Sequence, residues 1–73
     1  MGGNPDEVKE IIAKKLGVEI SQVQEGAALT DLGANKLSLV ELGAALEERF
    51  RLDCPPEIAV GFQNVGDVLE FVR

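Results

Sequence analysis
The sequence predicts an all-α domain. Two observations carry the prediction: three segments repeat apolar residues at helical spacing, and each opens behind an asparagine or closes at a glycine or a proline pair. A third is an absence, since no stretch alternates apolar and polar residues as a half-buried strand does.

The first helix opens at Asn4, with Pro5 at its first position and Glu7 three residues after the cap, which predicts a capping box. Val8, Ile11, Ile12 and Leu16 follow at helical spacing with Lys9, Glu10 and Lys14 turned outward, and Gly17 ends the run. From Val18 to Ala34 the connection is long but carries Val18, Ile20, Val23, Leu29 and Leu32, as a loop packed on a core does. Ser21 with Gln24 is expected to cap a single turn there, and Gly26 and Gly33 punctuate the path.

The second helix is expected from about Asn35 to Arg49 or Phe50. At ~100° per residue its apolar side chains form two stripes. Leu39, Leu42, Leu46 and Phe50, with Gly43 beside them, make the core stripe. Leu37, Val40 and Ala44 lie on another face bordered by Glu41, Glu47 and Glu48, where a partner can dock. Pro55 and Pro56 stop the helix. A short turn over Glu57–Val60 ends at Gly61, Phe62 offers a large apolar side chain, and a last helix after Asn64, with Asp67 three residues on, buries Val65, Val68, Leu69 and Val72.

Composition bounds function. The 73 residues make one domain, 1–73, with residues 1–3 read as a loose end, and a chain this short buries only about 60% of its unfolded surface. Thirteen acidic against seven basic side chains give a net charge of −6, which repels nucleic acid and favours basic partners. With no histidine and one cysteine, a disulfide framework and a Cys-rich metal site are both excluded within the chain. A cytoplasmic monomer is expected, with no membrane insertion, because no apolar run approaches the length of a span. Met1-Gly2-Gly3 lacks the Ser or Thr a myristoylation motif requires, since position six is Asp6.

The segment Asp31-Leu32-Gly33-Ala34-Asn35-Lys36-Leu37, continued by Val40-Glu41-Leu42 and Leu46-Glu47-Glu48-Arg49-Phe50, resembles the acyl carrier protein family. The family pattern reads Asp-Leu-Gly-Ala-Asp-Ser-Leu, then Val-Glu-Leu, then Ala-Leu-Glu-Glu-x-Phe. Matches at Val8, Ile11-Ile12, Leu16-Gly17-Val18, Pro55, Ala59 and Val65 to Val72 extend the likeness over nearly the whole chain. The resemblance implies a small antiparallel bundle of three main helices plus one short helix. It also implies a carrier of acyl thioesters for fatty acid or polyketide biosynthesis, not an enzyme. The expected partners are basic patches of synthase and acyl-transfer enzymes, met by the second helix at Leu37, Val40, Glu41, Ala44, Glu47 and Glu48. In the family an acyl cavity lies between the second and third helices, where Leu46, Ala59 and Phe62 are the matching positions.

At the start of the second helix the family's serine receives 4'-phosphopantetheine, and here that position is Lys36, flanked by Asn35 and Leu37. A lysine has no hydroxyl to modify, and an exposed ammonium has no lone pair with which to attack. The chain is therefore expected to carry no cofactor. Ser38 lies about 200° round the helix from Lys36 and reads as surface. Lys36 itself reads as a solvated lysine, and Cys54 as a small buried thiol. Two readings compete: a carrier relative that has lost its arm and acts by docking, and a working carrier into which Lys36, with Asn35, was introduced. Asp-Ser at positions 35 and 36 of the native gene distinguishes them. An independent small enzyme stands far behind, because no acid–base pair, nucleotide loop or metal constellation is visible.

Overall fold
The computed structural model describes residues 4–73, so the loose end expected at residues 1–3 lies outside the described residues. Four helices follow in order: α1 (Pro5–Leu16), α2 (Lys36–Phe50), α3 (Pro56–Ala59) and α4 (Val65–Val72). Two 3₁₀ turns, Ile20–Gln22 and Thr30–Leu32, interrupt the α1–α2 connection. The all-α class expected from periodicity is the class observed, and no named strand occurs among the described residues.

The start of α1 departs from the expected capping box. The Asn4 side chain accepts a hydrogen bond from the Asp6 amide at 2.8 Å, but Glu7 forms an ion pair with Arg49 at the far end of α2. A long-range cation competes successfully for a carboxylate that would otherwise turn back on its own helix. That pair joins the first turn of α1 to the last turn of α2, so the two helices run antiparallel. Gly17 closes α1 at φ 69°, a left-handed angle that favours glycine.

Val8 and Ile12 are buried as their spacing requires, joined by Ala13, while Ile11 and Leu16 are half-buried. In the long connection Val23, Leu29 and Leu32 enter the core. Ile20 does not. It is 46% exposed, the first residue of a tight turn whose buried neighbour is Val23. Ser21 and Gln24 do not make the expected cap either: the Glu19 amide donates to Gln22 Oε1 at 3.0 Å, and Gln24 Nε2 donates to the Ser21 carbonyl at 3.3 Å.

α2 supplies Leu39, Leu42, Gly43 and Leu46 to the core, with Phe50 half-buried at its end. Each of the leucines contributes roughly 1.5–3 kcal/mol by leaving water. Gly43 is needed for closeness: a Cβ there would stand 2.9 Å from Ala59 Cβ and 3.1 Å from Cys54 Sγ. Burial pushes the Cys54 thiol up from its ordinary pKa, and the carboxylates of Glu47 and Asp53 push it further the same way. Both effects disfavour the thiolate, the reactive form of a cysteine.

The last helix starts with a full capping box, Asn64 Oδ1 accepting from the Asp67 amide at 2.9 Å and Asp67 Oδ2 accepting from the Asn64 amide at 3.2 Å. Its first two amides are taken by the long connection: Val65 donates to the Ala27 carbonyl at 3.0 Å and Gly66 to the Glu25 carbonyl at 2.8 Å. Leu29 donates to the Gln63 carbonyl at 2.9 Å alongside. These bonds hold the connection against α4 and bring its end to α2.

Candidate functional site
The motif Asp31–Leu37 is shaped by a turn and then a cap. The Thr30–Leu32 turn buries Leu32, Gly33 reverses the chain at φ 94°, and the Ala34 amide donates to the Leu29 carbonyl at 2.9 Å. Asn35 is thereby presented in extended conformation (φ −131°, ψ −178°), as an N-cap requires.

Asn35 and Ser38 close on each other. Asn35 Oδ1 accepts from the Ser38 amide at 2.8 Å, and Ser38 Oγ accepts from the Asn35 amide at 2.7 Å while donating to the Asn35 carbonyl at 3.0 Å. The hydroxyl is therefore engaged both as donor and as acceptor. Expected as plain helix surface, Ser38 is a half-buried capping residue instead. The signal was available in Asn-x-x-Ser, a variant of the capping box with serine at the fourth position.

Lys36 and Leu37 project from the first turn, Lys36 exposed and Leu37 68% exposed. Among the described residues nothing accepts a hydrogen bond from their amides. Two unpaired N–H groups and the positive end of the helix dipole favour an anion at this end.

Comparison with known proteins identifies what this arrangement belongs to. The family described as "Phosphopantetheine attachment site" matches residues 6–72. Acyl carrier proteins of Clostridium perfringens are 47% identical over 68 residues, covering 92% of this chain and 90% of theirs. That of Clostridium acetobutylicum is 41% identical over 69 residues, covering 93% and 90%. The chain belongs to the acyl carrier protein family.

Acyl carrier proteins are carriers rather than enzymes, and the family carries 4'-phosphopantetheine. The residues of this chain fit only half of that group. The open amides of Lys36 and Leu37 suit a phosphodiester anion, but Lys36 has no hydroxyl to bond to phosphorus and the Ser38 hydroxyl is held in the cap. The start of α2 thus offers amides to an anion but no free hydroxyl at position 36 or 38 to which a phosphate could be joined.

The outer face of α2 presents Leu37, Glu41, Ala44 and Glu48, all exposed, in one stripe opposite the buried leucines, with Val40 half-buried at its edge. Glu47 departs from the expected set. It is half-buried, and its carboxylate accepts from the Cys54 amide at 2.7 Å, anchoring the segment that leads into α3. Its position on the flank shared with Gly43 explains this, because that flank faces Cys54 and Ala59. Leu46 and Ala59 are fully buried and Phe62 is nearly so, its ring packed edge-on to Phe71 at 5.5 Å between centroids. No described helix is long and apolar enough to cross a membrane, and no described group of His, Cys, Asp or Glu side chains gathers as metal ligands.

Proposed function
We propose that residues 1–73 form one carrier-type domain of fatty acid or polyketide biosynthesis that docks to synthase and acyl-transfer enzymes but bears no 4'-phosphopantetheine arm. The observation that carries this reading is the nature of the α2 start: Lys36 stands at the attachment position and the nearest hydroxyl, Ser38, is engaged in the cap. A hydroxyl used as both donor and acceptor, and turned about 200° from position 36, is poorly placed to attack a phosphate.

Docking is assigned to the outward stripe of α2. Leu37, Val40 and Ala44 supply apolar contact, and Glu41 and Glu48 supply charge for a basic patch. Glu47 contributes to this surface indirectly, through the α2–α3 connection that it holds. The net charge of −6 supports basic partners, and the free, buried Cys54 suits a cytoplasmic monomer.

Intact-mass measurement after incubation with coenzyme A and a broad-specificity phosphopantetheinyl transferase tests the proposal. The chain should keep its mass, while Lys36→Ser, alone or with Asn35→Asp, should gain one phosphopantetheine. A gain by the unaltered chain would overturn the armless reading. Failure of both variants to gain it would overturn the view that the scaffold otherwise retains carrier recognition.

A further inference from the structure
Between α1 and α2 lies an open groove of about 550 Å³, lined by Ile11, Lys14 and Lys15 from α1 and by Glu41, Ala44, Ala45 and Glu48 from α2. Its floor is apolar and its two rims carry opposite charge. Ion pairs within 4 Å among the described residues are Glu7–Arg49 and Glu70–Arg73, so none spans the groove. Rim charges that do not neutralise each other are available to a ligand. The outward stripe of α2 forms one wall, so the groove is continuous with the proposed docking face.

The charges define what fits. Glu41 and Glu48 are seven residues apart, two helical turns or about 10.5 Å. Lys14 and Lys15 face them from the other rim, toward the Glu41 end, because the Glu7–Arg49 pair sets the helices antiparallel. A uniformly basic helix would satisfy the glutamates and be repelled by the lysines. A second copy of this chain carries the same net charge of −6, and that like charge disfavours self-association.

We propose that the α1–α2 groove seats a short amphipathic helix of a partner protein, with Lys or Arg at i and i+7 on one edge, an aliphatic residue between them, and Asp or Glu on the other edge. The aliphatic side chain rests on Ile11, Ala44 and Ala45. The basic edge meets Glu41 and Glu48, and the acidic edge meets Lys14 and Lys15, which fixes the direction in which the helix lies. This inference rests on docking through α2 and adds α1 as a second, orienting rim.

Two synthetic helical peptides of about 14 residues, four turns each, test it by amide chemical-shift titration at about 50 mM salt. One has Arg at i and i+7, Leu between, and two Glu on the opposite edge; in the other the Glu are replaced by Lys. The mixed-charge peptide should shift Ile11, Lys14, Ala44 and Ala45 and bind roughly tenfold more tightly than the all-basic one. The Lys14→Glu/Lys15→Glu chain, checked for an unchanged fold by its core amide shifts, should reverse that preference. Equal affinities in the unaltered chain, or no reversal in the variant, would overturn the proposal. Shifts confined to Leu37, Val40 and Glu41 with α1 silent would overturn the groove and leave α2 docking standing. Silence on both helices would count against both readings, and concentration-dependent shifts without peptide would assign the groove to a second copy instead.

Discussion

Two helices of this chain begin with the same local device and use it for opposite ends. α2 and α4 both start at an extended asparagine whose side chain accepts from the amide three residues on, with a reciprocal bond from Ser38 in one and Asp67 in the other. At α4 the two amides left over are taken by the carbonyls of Ala27 and Glu25. At α2 no described residue accepts from the equivalent amides, of Lys36 and Leu37. The cap is a property of a few adjacent residues, whereas whether a helix start is sealed or available depends on what the rest of the chain lays across it. The sealed end holds the bundle together, and the open end is the one proposed above as the family's attachment position.

The contrast is sharpest at the second helical position. A Cβ at Gly66 would stand 3.1 Å from Asn64 Oδ1 and 3.2 Å from the Glu25 carbonyl oxygen, whereas Leu37 in the same place on α2 is exposed. Gly66→Val should therefore cost about 2–3 kcal/mol in urea unfolding, by forcing the connection off α4. Leu37→Val should stay within about 0.5 kcal/mol. Equal costs would break the comparison. The caps themselves come next: Asn35→Ala should cost about 1 kcal/mol and Asn64→Ala up to about 2, because Asn64 is half-buried under the connection and Asn35 is exposed. An Asn35 variant less stable than the Asn64 variant would contradict the sealed-end account. The smallest effect is electrostatic. Lys36→Glu should raise stability by about 0.3–1 kcal/mol at low salt and lose that gain as salt is added, since a carboxylate suits an open helix start better than an ammonium.

Periodicity and punctuation made most of the fold legible. The Leu39, Leu42 and Leu46 stripe, the Gly17 stop, the proline break and the Asn64/Asp67 cap depend on residues within a turn or two of one another, so local sequence is enough to read them. The family was legible too, because the motif from Asp31 to Leu37 is contiguous and the family match spans residues 6–72. Glu7, Glu47 and Ile20 were not. Glu7 pairs with Arg49, 42 residues away in sequence, and Glu47 binds the amide of Cys54, which lies past the end of α2; helical spacing describes neither contact. Hydrophobicity alone points Ile20 inward, but it does not say which side of a 3₁₀ turn a residue takes.

That position 36 carries no hydroxyl is a fact of sequence, since no packing can give Lys36 one. The sequence by itself also determined the helical class, the core stripe and the acidic balance, each set by residue type and local spacing. Only the tertiary structure decided that Ser38 is held in a cap, that Glu47 turns inward, and that the α4 start is sealed while the α2 start is open. It alone set Lys14 and Lys15 across a groove from Glu41 and Glu48. The physical reason is common to all of these: hydrogen bonds and charge pairs form between groups that folding brings within a few ångströms, and that proximity is decided by how the helices pack.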